Sequence, residues 1–168
     1  MRFTSLQWLF PVVMILHNLE EALWLPGWAN RTGFWRTPVS PRFFRFVVAV
    51  LSALALAVTW LSARSGAQTP WTYLMFGGMV ATLANAVYPH LALSISTRSY
   101  MPGTATAVIL NLPVLSFLVA SALSERQVWG WKSVAYAAGV PAILLLSLVV
   151  LFKRGRLDSE REAKTVRQ

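Results

Sequence analysis

Five long apolar runs constrain this chain more than any other feature. They cover approximately residues 3–25, 43–63, 71–95, 104–123 and 133–152. At 1.5 Å per residue, a helix of about 20 residues crosses the roughly 30 Å hydrocarbon core of a bilayer once. Charged residues make up only 12% of the chain, about half of the share in an ordinary soluble domain. We therefore expect an all-α, polytopic membrane helix bundle with five transmembrane helices within residues 1–152.

The positive charge of the chain is concentrated after the last run. The formal net charge is +9, and six of the fifteen Lys and Arg residues lie within residues 153–168. Acidic residues are interspersed among them, which is typical of a solvated tail at a membrane surface and less typical of a nucleic-acid interface. We expect a charged tail beside membrane lipids and no nucleic-acid partner; contact of the tail with anionic lipid or a partner is the alternative.

The distribution of Lys and Arg also predicts the orientation. A cytoplasmic C-terminus places eleven of the fifteen on the inner side and four on the outer side, as the positive-inside rule requires. We therefore expect the N-terminus outside and the C-terminus in the cytoplasm. The first run carries Glu20 and Glu21 near its end and has no convincing cleavage site, so we expect it to be retained rather than removed as a signal peptide.

Four ionisable residues lie inside the predicted spans, namely His17, Glu20, Glu21 and His90. Such groups cost a few kcal/mol each in a membrane and usually mark function or a specific partner. At 100° per residue, Glu20 and Glu21 lie roughly 60° and 40° to either side of His17, so the three share one helix face. The predicted orientation brings His90 to a similar depth, near the cytoplasmic leaflet. We expect these four residues to be the catalytic group.

Further residues near this depth are candidates for substrate binding. They are Trp24, Asn85, Tyr88, Tyr100, Gly103 and Asn111. The face of the first helix above the ionisable patch is apolar, and a polar site below an apolar slot suits a lipid-like small molecule. Simpler roles are the alternative: His90 and Asn111 would then satisfy backbone groups near Pro89 and Pro113, and residues 100–103, which have the composition of a turn, would form one.

The ionisable residues also carry a resemblance. The segment His17-Asn18-Leu19-Glu20-Glu21, the later His90 and Tyr100-Met101-Pro102-Gly103 resemble, in this order, the motifs of the HXXEE-domain family of small integral membrane proteins. These motifs span residues 17–103, and residues 104–168 carry none of them. The resemblance implies an integral membrane protein and implies no particular reaction.

Three chemical interpretations follow for the cluster. Two imidazoles and two carboxylates, from His17, Glu20, Glu21 and His90, could ligate one divalent metal such as Zn, Fe or Mn with a net charge of zero. Without a metal, the adjacent carboxylates cannot readily both ionise, so one would keep its proton as general acid while His17 or the other Glu acts as base on an isoprenoid-like or sterol-like substrate. We expect an intramembrane enzyme acting on a lipid or isoprenoid-like substrate by one of these routes.

The third interpretation is structural or ligand-binding without catalysis. Here the cluster locks the bundle through ion pairs with arginines at the membrane boundary, namely Arg31, Arg36, Arg42 or Arg98. The chain contains no phosphate-binding Gly-Lys loop, no dinucleotide fingerprint and no His-Glu-x-x-His motif, so nucleotide-driven transport and a standard metalloprotease are disfavoured.

Overall fold

The chain folds into an α-helical bundle. The structure, a computed structural model, describes residues 2–34 and 40–165, with side chains as far as residue 153. The helices are α1 (Phe3–Leu6), α2 (Leu9–Thr32), α3 (Pro41–Ser65), α4 (Pro70–Asn85), α5 (Ala92–Ser96), α6 (Thr104–Thr106), α7 (Leu112–Ser124) and α8 (Gly130–Thr165). Two π-helical segments, π1 (Ala86–Leu91) and π2 (Ala107–Asn111), join α4 to α5 and α6 to α7. The described ranges contain no strand, which confirms the all-α class.

Within residues 2–34 and 40–165, four continuous helical stretches are long and apolar enough to cross a membrane. They are Pro41–Ser65, Pro70–Ser96, Thr104–Ser124 and Gly130–Lys153. Their ends lie within three residues of the last four predicted spans, and their composition supports a membrane protein. The predicted first span is formed by α1 and α2, which are not among the four. Polar residues in the middle of α2, including His17 and Asn18, lower its hydropathy.

The first predicted span is also longer than expected. Residues 26–41 are rich in Trp, Gly, Pro and Arg, a composition that predicts a connector starting at Pro26, but α2 continues through Pro26 to Thr32. Proline removes one helical hydrogen bond, yet Leu25, Pro26 and Ala29 are all buried, and this packing offsets the loss. The helix ends where Gly33 adopts a φ of 67° and its N–H bonds to the Ala29 carbonyl, a left-handed cap that favours glycine. Residues 35–39 of the predicted connector lie outside the described residues.

The predicted charged tail is helical over most of its length. Helix α8 continues to Thr165, so most of residues 153–168 prolongs the last apolar helix. The side chains beyond residue 153 and the backbone of residues 166–168 lie outside the described part of the chain.

The core is formed where α2, α3, α4 and α7 meet. Helix α3 packs against both α2 and α4, and α7 packs against both α2 and α4. Buried members of this core include Phe10, Val13, Met75, Met79, Leu115 and Leu118. Helix α8 packs mainly on α4, where a Cβ atom on Gly77 would lie 2.6 Å from the Tyr136 carbonyl oxygen. Such close backbone approach at a small residue is typical of membrane helix packing.

The π-helical segments interrupt the two helices that flank α2. In π1 the backbone leaves helical geometry at Tyr88, with φ −134° and ψ 122°, immediately before Pro89. The residue before a proline disfavours helical dihedrals. Segment π1 packs against π2, and π2 packs against α2. These contacts bring His90, carried by π1, to the face of α2 that holds the motif.

Candidate functional site

Helix α2 supplies three of the four ionisable residues. Because α2 is continuous through the motif, the side chains of His17 and Glu21, four residues apart, project from the same face. His17 is 2% exposed and Glu20 is 6% exposed, whereas the Glu21 side chain is 12% exposed. The motif therefore points into the bundle, with Glu21 nearest its surface.

His90 completes a group of three side chains that could ligate a metal ion. Glu21 Oε1 lies 2.8 Å from His90 Nε2 and 3.6 Å from His17 Nε2. One potential ligand atom from each of these residues lies within 4.8 Å of the other two. The two imidazole rings meet edge to face, with centroids 4.8 Å apart and planes 88° apart. The three residues therefore converge on one small volume.

The nitrogens of His90 have an unusual environment. The ring is 1% exposed, and within the described residues neither nitrogen makes a hydrogen bond of acceptable geometry. The 2.8 Å contact of Nε2 with Glu21 is therefore close but poorly aligned for a hydrogen bond. Two ligand atoms of one metal ion are likewise close together without a hydrogen bond between them, because both direct their lone pairs at the ion. A buried imidazole is rarely left without a partner.

Glu20 has a different environment from Glu21. Its Oε1 accepts a hydrogen bond from the Gly103 N–H at 2.8 Å and another from the Tyr100 hydroxyl. Its Oε2 accepts from the Thr106 N–H at 2.9 Å and from the Thr106 hydroxyl at 2.6 Å. The two N–H groups belong to the start of α6, where a helix has unpaired donors and a positive dipole end. Glu20 therefore caps this helix, and protein donors occupy both of its oxygens.

The structure therefore brings together fewer possible metal ligands than the sequence predicts. We predicted four ligands, but Glu20 is outside the group of side chains that converge, which comprises His17, Glu21 and His90. A carboxylate that accepts four hydrogen bonds has little capacity for a metal. Glu20 instead holds the segment that supports the site.

Thr106 connects Glu20 to His17. Its hydroxyl oxygen lies 3.0 Å from His17 Nδ1. Because the single Thr106 hydroxyl proton is directed to the 2.6 Å contact with Glu20, the oxygen accepts from His17, which assigns the proton of neutral His17 to Nδ1. The lone pair of Nε2 then faces Glu21 and accepts from Asn85 Nδ2 at 3.2 Å. This tautomer has the ring orientation of a metal-ligating histidine supported by a hydrogen-bonded carboxylate.

The Tyr-x-Pro-Gly segment forms the other wall of the site. Its Tyr100 ring is exposed, but its hydroxyl reaches Glu20. Burial of the hydroxyl, followed by this hydrogen bond, raises the pKa of Tyr100 to about 12. The phenol therefore stays protonated and donates at neutral pH. Ser94 and Thr104 join this segment to π1, since their hydroxyl oxygens lie 2.8 Å apart and Thr104 donates to the His90 carbonyl.

The predicted substrate-binding residues divide into three groups. Asn85, Tyr100 and Gly103 contact the cluster. Trp24 and Tyr88 are 58% and 69% exposed, and none of their described contacts joins them to it. Asn111 is fully buried, and its side chain makes no hydrogen bond to the described residues, so it does not satisfy the backbone near Pro113.

Sequence reasoning missed Thr106. Apart from its position along the chain, nothing in the sequence distinguishes this threonine from other threonines in apolar runs. Its position three residues after Gly103, in the first turn of a helix, could have indicated a residue able to bind a carboxylate.

The arginine pairs of the structural interpretation are not observed. Within the described residues, Glu20 and Glu21 form no ion pair with arginine. Arg31, Arg42 and Arg98 are exposed, and Arg36 lies outside the described residues. The contacts of the cluster are instead made by histidine, threonine, tyrosine and backbone groups.

Comparison with known proteins agrees with the motifs. Residues 8–118 match the family described as "Protein of unknown function with HXXEE motif". The chain is also 33% identical over 149 residues to "Uncharacterized protein YrkK" of Bacillus subtilis (strain 168), covering 87% of this chain and 92% of that protein. No solved structure matches. The match includes His17, Glu20, Glu21, His90 and Gly103, so the chain belongs to the family of proteins with the HXXEE motif.

Proposed function

We propose that this protein is an intramembrane enzyme that holds one divalent metal and acts on a lipid-like substrate. The observation that carries the proposal is the convergence of His17, Glu21 and His90, whose ligand atoms lie within 4.8 Å of one another. The three side chains come from two separate elements, α2 and π1, so the fold and not local sequence brings them together. Their histidines are almost completely buried.

The donor set suits a catalytic metal. Two imidazoles and one carboxylate leave an open coordination position on a tetrahedral ion, as in catalytic zinc sites, and also suit non-haem iron. A metal would give the orphaned nitrogen of His90 a partner and would neutralise Glu21 in a poorly solvated site. The chain has no cysteine, so Zn, Fe and Mn remain the candidates, as nitrogen and oxygen ligands serve all three.

The surrounding residues have defined roles in this proposal. Thr106 and Glu20 hold His17 with its proton on Nδ1, so that Nε2 is free to bind. Binding at Nε2 would replace the hydrogen bond from Asn85, and the freed amide would then face the substrate side. A divalent ion would supply Lewis-acid polarisation of a substrate oxygen or activation of water.

A lipid-like substrate follows from the membrane context. The cluster lies among helices that are long and apolar enough to span a bilayer, and a buried polar site there is reached most easily from the lipid phase. We further propose that α2 is a fifth span, with the N-terminus outside and the cluster near the cytoplasmic leaflet. The excess of Lys and Arg on that side supports this orientation.

Two alternatives differ in measurable ways. The proximity of Glu21 and His90, 2.8 Å apart, favours metal-free acid and base chemistry as the second candidate, because a carboxyl group and an imidazole that border the same volume could exchange protons with a substrate there. In a purely structural role, the cluster would only lock the packing of α2 against π1 and α6.

The deciding experiment is elemental analysis of the detergent-purified protein without a histidine tag. Glu21→Gln and His90→Ala remove proposed ligands, and Glu125→Gln serves as the matched control. Glu125 accepts two hydrogen bonds from the Phe3 N–H, so this control removes a hydrogen-bonded carboxylate far along the chain from the cluster.

We expect near-stoichiometric metal in the native protein and in Glu125→Gln, and little metal in the two ligand variants. Reconstitution of the native protein with Zn, Fe or Mn and assay against lipid pools would then identify the substrate. Absence of metal after supplementation would contradict the metal proposal. In that case, stability of the same variants would separate acid-base chemistry from a structural lock, since removing a structural group lowers stability while removing a catalytic charge often raises it.

A further inference from the structure

Asn111 is a buried polar side chain without a partner. It is fully buried, and neither its Nδ2 nor its Oδ1 makes a hydrogen bond to the described residues. An amide left unsatisfied in an apolar interior is strongly unfavourable, and such groups are rare in folded proteins. Asn18, a buried asparagine on α2, instead donates to the Val48 carbonyl and to Ser52. A group outside the protein chain is therefore expected to bind Asn111.

The position of Asn111 joins the apolar core to the cluster. It ends π2 and lies on the buried stripe that continues with Leu115, Leu118 and Ala122 of α7. Asn111 is the polar member of this stripe. It follows Thr106 by five residues along π2, and Thr106 contacts both His17 and Glu20.

A second orphaned group lies on the neighbouring segment. Segment π2 packs against π1 and α2, and π1 carries His90, whose Nδ1 is also buried without a partner. Thus two adjoining π-helical segments each present an unsatisfied polar side chain. Single turns of π-helix occur frequently at functional sites.

The chemistry of Asn111 restricts its ligand. The amide offers both a donor and an acceptor and carries no charge. Every Lys and Arg side chain whose burial is described is exposed, so among the described residues no basic side chain is buried beside Asn111 to neutralise a phosphate or carboxylate there. We infer that Asn111 binds the hydroxyl group of an uncharged, long-chain alcohol as the substrate-side anchor of the site. This inference rests on the proposed function and specifies its substrate class.

Photoaffinity labelling tests this inference directly. The probe is a twelve-carbon primary alcohol with a diazirine near its hydroxyl, added to metal-loaded protein in phosphatidylcholine nanodiscs. Excess 1-dodecanol and excess n-dodecane serve as competitors. We expect labelled peptides from residues 86–91 or 107–115, and competition about tenfold stronger by the alcohol than by the alkane, the factor supplied by one hydrogen bond.

Two variants then test the residue itself. Asn111→Leu should reduce site labelling about tenfold and abolish the preference for the alcohol. Thr59→Val is the matched control, because Thr59 is fully buried on α3 and, among the described residues, its hydroxyl bonds only to the Ala55 carbonyl. It should label like the native protein. Labelling of the native chain needs no variant to fold, so the test stands even if Asn111→Leu is unstable.

The contrary outcomes are distinct. Labelling that spreads over the lipid-facing helices, or that the alkane suppresses equally, would overturn the inference. Absence of labelling at the site would mean that Asn111 binds only water, which also overturns it. Metal content measured on the same samples separates this failure from failure of the proposed function: a metal-loaded protein without alcohol preference refutes the Asn111 anchor alone.

Discussion

Gly103 packs so closely against His90 that a Cβ atom on residue 103 would lie 2.4 Å from the imidazole Cε1 and 2.7 Å from Nδ1. Gly103 also has a φ of 98°, a conformation that side chains disfavour, and its N–H donates to Glu20. One glycine thus contacts the histidine of π1 and the carboxylate of α2. The three sequence motifs are parts of one structural unit.

Replacement of Gly103 by alanine should therefore damage the site as well as the fold. The left-handed backbone conformation costs about 1–2 kcal/mol for a residue with a Cβ, and overlap with a buried ring adds about 1–3 kcal/mol. We expect a loss of about 3 kcal/mol in SDS-unfolding titrations, together with loss of bound metal.

Gly33→Ala is the matched control for this variant. Gly33 has a φ of 67°, and nothing lies within 4 Å of the position that a Cβ atom would take. It should show the backbone penalty alone and keep its metal. Equal effects of the two substitutions on metal content would contradict the packing role of Gly103.

Glu20 should behave as a support and not as a ligand. Glutamine at residue 20 keeps one acceptor oxygen, so about half of the four hydrogen bonds to the carboxylate are lost. Hydrogen bonds to charged groups contribute about 1.5–3 kcal/mol each, and we expect Glu20→Gln to lower the unfolding free energy by at least about 2 kcal/mol. Metal affinity should weaken but persist. Complete loss of metal with unchanged stability would instead identify Glu20 as a ligand.

Thr106 should influence metal affinity through the tautomer of His17. Thr106→Val preserves shape but removes the hydroxyl that accepts from Nδ1. Partners behind a metal-ligating histidine typically change affinity by about 10- to 100-fold, and we expect a loss in this range by competition with a fluorescent chelator. Thr106→Ser retains the hydroxyl and should restore most of the affinity. Failure of serine to restore it would indicate that the methyl packing matters instead.

The helices and the cluster differ in how far the sequence predicts them. Apolar runs determine spans because length and hydropathy are local properties, and the last four predicted spans agree with the helices. The convergence of His90 with His17 was also predicted, because few ionisable residues lie in the predicted spans and the predicted orientation brings these residues to a similar depth. Distinct roles for Glu20 and Glu21 could not be predicted, because the two flank His17 almost symmetrically on α2. The roles of the two glutamates differ because the N-terminus of α6 lies beside Glu20.

The irregular backbone of π1 and π2 could not be predicted from the sequence either. A proline at residue 89 predicts an interruption of the helix around it, but the π-helical geometry of π1 and π2 depends on how the two segments pack against each other. Proline alone is also an unreliable helix boundary, since α2 continues through Pro26. Contacts between segments that are distant in the sequence determine these features, so the local sequence around each segment does not predict them.

Tyr100 should give a spectroscopic signal of the capped carboxylate. Burial and the Glu20 hydrogen bond raise its pKa to about 12, against about 10 in an unfolded chain. Because the folded state retains the phenol proton longer, the stabilisation is complete below about pH 10 and is lost as pH rises towards 12. Difference absorbance between native protein and Tyr100→Phe should show this late titration. A midpoint near pH 10 would mean that the hydroxyl does not bond to Glu20.

Metal removal provides the most direct test of the role of Glu21. A ligand that binds only the folded state at a hundredfold excess over its Kd stabilises it by about 2.7 kcal/mol, so a chelator should lower the unfolding free energy of the native protein by about that amount. Glu21→Gln should be insensitive to the chelator. Without metal, its stability should stay within about 1 kcal/mol of the native apoprotein, because Glu21 is partly exposed and its contact with His90 is poorly aligned. Glu125→Gln should respond to the chelator like the native protein. If Glu21→Gln were several kcal/mol less stable than the native apoprotein, Glu21 would be part of a structural lock and the cluster would not be primarily a metal site.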